Sequence, residues 1–427
     1  MAWVGFGMVL VFMLLIVSKR LSAIVALIVV PVVFALASGF GPQLGGMVME
    51  GLLKVAPTAI MLMFAILYFA VMFDAGLFEP AVRRIIRAVG DDPLRVSIGT
   101  AVLSALISLD GDGSSTVLVV ISAFLPVYLR LGMNPLIIAV TLLLTNTVVN
   151  IVPWGGPTAR AASALHLDAM TVFTGLLPTI LAGLAYALAA AWWLGMRERK
   201  RLGWVPGRGA ASSVQLERNS KSSHRPRLFW VNLALTLGLL ASMGLGLGPL
   251  PVLMMLGLAL ALVINYPRLA EQKERIAAHS ESVLNVIALI FAAGAFTGIL
   301  SGSGMVDAMS QAFLGVVPET AGPYMSLITA LAGMPFTFFM SNDAFFFGIL
   351  PILGGAAAQY GVDPLHIARA SVLGQPVHAL SPLLAAAYLL SGLLQREVGD
   401  LQRYCLGWAF GSSLVLILTA LATGAII

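Results

Sequence analysis

The chain has 427 residues, of which 59% are hydrophobic and only 10% charged, with a mean hydropathy of +0.97. A soluble domain keeps about a quarter of its residues charged to solvate its surface, so this composition excludes one and places most of the surface in lipid. The net charge of +5 is explained by basic cytoplasmic loops and calls for no nucleic acid, and one cysteine, Cys405, excludes a disulfide framework and a cysteine metal cluster.

Roughly 20 apolar residues cross a bilayer core. The first apolar run, 2–17, lacks a basic leader region and a small-residue cleavage site, so it reads as a span and not a signal peptide. Spans at 22–38 and 52–73 follow. The stretch 96–128 is broken midway by Asp110, Gly111, Asp112, Gly113, Ser114 and Ser115. An interrupted span at 134–165 and a span at 172–195 complete the first half. Residues 196–227 are polar, basic and interspersed with Gly, Ser and Pro, as in a cytoplasmic linker. Spans at 228–247, 249–266 and 284–302 come next. A second broken stretch, 322–359, carries Ser341, Asn342 and Asp343 at its centre, before an interrupted span at 363–393 and a last one at 404–426. Each half of a broken stretch is short for a span. Both therefore read as re-entrant hairpins, since irregular backbone at membrane depth persists only where protein buries it or water reaches it. The expected fold class is an all-α polytopic membrane protein.

Charge placement orients this topology. With both termini outside, the expected cytoplasmic loops hold every one of the 24 Lys and Arg except Lys54, Arg160 and Arg369. That is the positive-inside pattern.

The two halves repeat. Gly132, Asn134 and Pro135 correspond to Gly361, Asp363 and Pro364, and the same separation divides Pro153 from Pro382 and Asn146 from Gln375. It also superposes Asp112, Gly113 and Ser114 on Ser341, Asn342 and Asp343. Two units of five spans each, 1–195 and 228–427, must face opposite ways. This is the inverted repeat of secondary carriers, in which broken helices hold substrate near the midplane.

Charge at membrane depth is costly and marks function. Of the 19 acidic residues, Asp110, Asp112 and Asp343 fall there, all at hairpin tips. Ser114, Ser115 and Thr116 open a half-helix at the first tip, and Ser341 and Asn342 do so at the second. They are either anion contacts at helix N-termini or ordinary caps. The broken spans add Asn146, Asn150, Gly155, Gly156, Thr158 and Arg160, then Gln375, His378 and Ser381. Unwound carbonyls and amides there make an oxygen-rich cavity, or the prolines merely kink the helix for packing. Arg160 either clamps a carboxylate of the solute or neutralises Asp110 or Asp112. His378 carries a proton or is hydrogen-bonded in a helix interior. Arg369 reads as an entrance charge, and the phenylalanines around the second tip as packing.

Asp110 to Ser114, Pro153 to Thr158 with Arg160 to Ser163, Pro335 to Asp343, and Gly374 to His378 together resemble the bacterial citrate–divalent metal:proton symporters of the ion transporter superfamily. The resemblance runs from about Val11 to the last span. It implies uptake of citrate chelated to an ion such as Mg²⁺ or Ca²⁺, coupled to protons, at the inner membrane. It also implies a homodimer with scaffold and elevator-type transport domains. The metal belongs to the substrate, no cofactor is expected, and the protein is not an enzyme. In this reading the metal is held by Asp110, Asp112 and Asp343, and the citrate by the polar residues of the tips and broken spans. Rival readings are a metal-independent proton- or sodium-coupled carboxylate symporter, a cation/proton antiporter of the same superfamily, an intramembrane aspartyl protease and a channel.

Overall fold

The computed structural model describes residues 1–18, 20–111, 113–205, 225–314 and 319–427. Among them all regular structure is helical. The first half runs α1 (Ala2–Val17), α2 (Ala23–Ala37), α3 (Leu44–Asp74), α4 (Glu79–Val89), α5 (Pro93–Ile107), α6 (Gly113–Leu131), α7 (Leu136–Val149), α8 (Gly156–Ala164), α9 (Ala169–Thr174) and α10 (Leu177–Leu202). The second half runs α11 (Phe229–Gly244), α12 (Leu250–Asn265), α13 (Leu269–Ala278), α14 (Ser280–Gly302), α15 (Met305–Leu314), α16 (Met325–Phe339) and a π-helical turn, Ala344–Ile349. It closes with α17 (Leu350–Gln359), α18 (Pro364–Ser371), α19 (Gln375–His378), α20 (Ala385–Leu394) and α21 (Val398–Ala422).

Local chemistry sets the starts. Asp92 accepts from Leu94 N at 3.0 Å ahead of Pro93 in α5, and Asp363 does the same for Leu365 N at 2.8 Å ahead of Pro364 in α18. In both, an acidic cap satisfies a free donor and proline fills the first helical position, where no donor is needed. Among the described residues, four segments are long and apolar enough to cross a membrane: Gly41–Asp74, Leu177–Leu202, Val283–Gly302 and Val398–Ala422. Shorter apolar helices, α1, α2, α5, α7, α11 and α12 among them, fill in around these. The chain is a multi-pass membrane protein.

Some boundaries differ from the sequence expectation. The span expected at 172–195 is divided between α9 and α10, and α10 continues to Leu202, so residues 196–202 of the expected linker are helix. Arg199, Lys200 and Arg201 fall in its last turn, where the helix dipole favours cations. Residues 206–224 of that linker lie outside the described residues. The segment 363–393 is broken twice, after Ser371 and after His378. The helices α4, α13 and α15 had no hydropathy signal strong enough to announce them. Each is short and carries charge in its first turn.

Packing centres on α3 and α14. Their backbones meet at Gly51, Gly294 and Gly298; a Cβ on Gly51 would lie 2.0 Å from the Gly294 carbonyl oxygen. Small residues spaced four apart allow such an approach, which in lipid replaces a hydrophobic driving force with van der Waals contact. Beside this pair, α10 packs on α5, α7 and α21, and the α5–α6 hairpin leans on α7. The second hairpin, α16 to α17, leans on α18, and α16 also meets α19. Arg369, expected as an entrance charge, instead donates to the carbonyls of Thr171 (2.9 Å), Val172 (3.3 Å) and Ala425 (3.3 Å). It ties α9 to the turn that follows α21.

Candidate functional site

The first tip and the α7–α8 break hold each other. A short 3₁₀ turn, Ser108–Asp110, ends the descending arm, and Gly111 (φ 82°) reverses the chain in the left-handed region that glycine adopts freely. Past Asn150 the backbone doubles back so closely that a Cβ on Gly155 would lie 1.8 Å from the Asn150 carbonyl oxygen. The indole of Trp154 donates to the Leu109 carbonyl at 2.9 Å and stacks on Phe69, with ring centroids 5.2 Å apart. Asn146 donates to the Ser108 hydroxyl at 2.9 Å, and Asn150 to the Asn146 amide oxygen at 3.3 Å.

The second tip is held by α19 and by the first half of the chain. His378 Nδ1 lies 2.6 Å from the Thr337 carbonyl oxygen, and the Ser381 hydroxyl donates to the Phe338 carbonyl at 2.7 Å. Both acceptors belong to the last turn of α16, whose carbonyls need outside donors. A carbonyl only accepts, so Nδ1 donates to it. Asn342 and Gln375 exchange reciprocal amide bonds at 3.3 and 3.2 Å. Arg160 of α8 donates through Nε to Asp343 Oδ1 at 2.7 Å and through Nη1 to the Gly156 carbonyl at 3.2 Å. The two charged side chains keep 21% and 17% of their surface.

Between these elements lies a cavity of about 260 Å³. Gly111 and Gly113 of the first tip, Asn146 and Asn150 of α7, Gly156 of α8, Asn342 of the second tip, and Gln375 and His378 of α19 line it. Gly113 and Gly156 are the first residues of α6 and α8, and Asn150 caps the C-terminus of α7. Two N-terminal helix ends, which favour anions, thus meet one C-terminal end, which favours cations. Asn150 Oδ1 is buried with no hydrogen-bond donor among the described residues.

The sequence-derived candidates divide accordingly. Asn146, Asn150, Gly156, Asn342, Gln375 and His378 come together on the cavity wall. Arg160 and Asp343 pair with each other beside it, whereas the sequence reading partnered Arg160 with a solute carboxylate or with Asp110 or Asp112. Asp112 lies outside the described residues, as do the side chains of Asp110, Ser114 and Ser115. Four candidates are engaged elsewhere. The Thr158 hydroxyl donates to the Ile151 carbonyl at 2.9 Å, Thr116 lies 3.4 Å from Ser108, Ser341 accepts from Ala344 N at 3.2 Å as a cap, and Ser381 holds α16. Gly155 shapes the break without lining the cavity.

Ser108, and Thr147 on the cavity wall, were missed. Ser104 of α5 and Ser108 of the turn after it are spaced four apart, and the Ser108 hydroxyl donates to the Ser104 carbonyl at 2.7 Å while accepting from Asn146. That spacing was a readable signal of a polar stripe; Thr147 gave none. Phe345, Phe346 and Phe347 are fully buried, which agrees with their reading as packing.

A family model described as citrate transporter matches residues 5–374. The chain is 52% identical to the "Citrate transporter" of Bacillus subtilis over 100% of its own length and 99% of that protein. It is 47% identical to the Mg²⁺/citrate complex secondary transporter of the same organism, again over 100% and 99% of the two chains. Among solved structures, the Alcanivorax borkumensis YdaH transporter shares the fold with a TM-score of 0.55 at 16% identity, covering 91% of this chain and 89% of that one.

Proposed function

Because this chain belongs to the citrate transporter family, we propose that it is a secondary carrier for citrate complexed with a divalent metal ion of the Mg²⁺ or Ca²⁺ type, taken up with protons across the bacterial inner membrane. One observation carries this reading: anion-favouring and cation-favouring helix ends share one small cavity. A metal–carboxylate complex presents both signs at once. Trivalent citrate holding a divalent ion is a monoanion, far cheaper to desolvate than free citrate. The volume of about 260 Å³ is below that of pockets for drug-sized ligands and suits a small metabolite.

In this reading the α6 and α8 starts and Arg160 receive the free carboxylates. The hard cation takes oxygen ligands from Asp343, the Asn150 amide oxygen and the first-tip aspartates Asp110 and Asp112. In the empty carrier Arg160 and Asp343 satisfy each other, and the incoming complex replaces that one ion pair with two. His378 Nε2 is the proton-exchanging atom. Entry with more than one proton moves net positive charge, so the membrane potential adds about 2.3 kcal/mol per charge per 100 mV.

The architecture proposed for this transport is two inverted repeats, 1–195 and 228–427, joined by the cytoplasmic linker, with both termini outside and the chain acting as a homodimer with elevator-type transport domains. Its support is the sequence repeat together with the matching way each hairpin leans on the broken helix that follows it.

Uptake of labelled citrate into proteoliposomes, with and without each divalent ion and with the proton gradient collapsed, tests the reading. Uptake that needs no divalent ion would establish the metal-independent symporter instead.

A further inference from the structure

We propose that the pocket at the end of α10 binds the phosphodiester headgroup of an anionic phospholipid. The pocket, of about 530 Å³, lies between the last turns of α10, the Gly132–Pro135 turn ahead of α7, and the turn between α20 and α21. Its floor is electrically settled. Glu198 is buried, accepts from Asn134 N at 3.1 Å, and receives Arg201 through Nε at 2.9 Å and Nη2 at 2.6 Å. Its walls are not settled. Arg197 and Arg396 also line the pocket, both exposed, and neither has a carboxylate partner among the described residues. Tyr404 supplies a hydroxyl beside them. Two guanidinium groups without a counter-charge call for an anion, and phosphate oxygens match their paired donors.

The surroundings choose lipid over a soluble anion. The Arg197 guanidinium lies over the Trp193 ring, 5.7 Å from its centroid, and Trp193 packs against Trp408 at 5.4 Å. Trp192 and Trp193 are exposed. Tryptophans on an outer helix face collect at the headgroup level of a bilayer, so Arg197, one turn farther along α10, sits among phosphates. On the orientation proposed above this is the cytoplasmic leaflet, the one rich in anionic lipid. Since Glu198 and Arg201 hold the Gly132–Pro135 turn, a bound headgroup braces the joint between the first hairpin and α7.

The test is lipid binding to the purified protein in detergent, read by native mass spectrometry and by thermal midpoint, with phosphatidylglycerol against phosphatidylcholine. It depends on neither citrate uptake nor orientation, so its failure leaves the transport reading standing. Phosphatidylglycerol is expected to bind and raise the midpoint. Arg197→Gln and Arg396→Gln are each expected to weaken binding about fivefold and the double variant about thirtyfold. The control Arg84→Gln/Arg87→Gln, which removes equal charge from another surface, is expected to bind as wild type. Undiminished binding by the double variant, an equal loss in the control, or the same protection from inorganic phosphate alone would each overturn the proposal.

Discussion

The two hairpins are secured at opposite ends. The α5–α6 hairpin is fixed by charge at its base: Asp92, which caps α5, pairs with Arg199 of α10 and lies 3.5 Å from Arg95, while Asp91 pairs with Arg130 at 2.5 Å. The described contacts at its tip are neutral hydrogen bonds from Trp154 and Asn146. The second hairpin has no ion pair at its base among the described residues, and its one charged contact, Asp343 with Arg160, is at the tip. The first is thus anchored away from the cavity, by a buried carboxylate that two arginines share. The second relies on a pair near the cavity, where a substrate can compete for it. A hairpin held at its tip by a replaceable contact is the better candidate for a part that responds to cargo.

The strongest way to break this contrast is at that contact. Arg160→Gln and Asp343→Asn are each expected to lower citrate uptake about a hundredfold, because either change strands the opposite charge. The double variant separates two meanings of the pair. If the two residues serve only each other, it recovers most of the uptake; if both also hold the cargo, as proposed, it stays as low as the singles. Arg160→Lys is expected to raise the KM for citrate, since an ammonium cannot reproduce the fork of a guanidinium.

Next in size is the break that supports the first tip. Gly155→Ala forces a methyl into the Asn150 carbonyl and is expected to cost about 3 kcal/mol, seen as poorly folded protein in a thermal melt. Gly111→Ala meets a left-handed backbone and a Trp154 contact at 3.3 Å, and is expected to cost about 1–2 kcal/mol. Equal melts for wild type and Gly155→Ala would contradict the packed turn.

Asn342→Ala or Gln375→Ala breaks the reciprocal amide pair and leaves one polar group unsatisfied, at about 1–3 kcal/mol. The expected readout is a roughly tenfold rise in KM together with that loss of stability. A change in stability alone would make the pair structural.

The smallest effect belongs to the base of the first hairpin. Burial raises the Asp92 carboxyl, but bonds from Arg199 and Leu94 N outweigh it and hold the group below the usual carboxylate range. A carboxyl so lowered stabilises the fold fully above its unfolded pKa and loses that contribution as pH falls through the folded one. Asp92→Asn is therefore expected to lower the thermal midpoint by a few degrees at neutral pH. The gap to wild type should close on acidification below the ordinary carboxylate range, and a gap independent of pH would remove the ion pair from the account.

The sequence by itself determined the membrane class, the two tips and the broken helices, because a polar residue in an apolar run is visible without any partner. It also picked out Asn146, Asn150, Gly156, Asn342, Gln375 and His378, which meet at one cavity from four separate stretches of chain. The family followed from long motifs between Asp110 and His378, and the family model matches residues 5–374. What it left open was pairing. Hydropathy measures what one residue costs in lipid, whereas a partner is whichever group the folded backbone brings within about 3 Å. Arg160 had several carboxylates to choose from, and closure of α8 against the second tip gave it Asp343. Thr158 and Ser381 looked like cavity ligands, and carbonyls freed by neighbouring helix ends claimed them first. Arg369 was drawn in the same way to carbonyls of α9 and of the turn after α21, partners that no local pattern in the sequence announces.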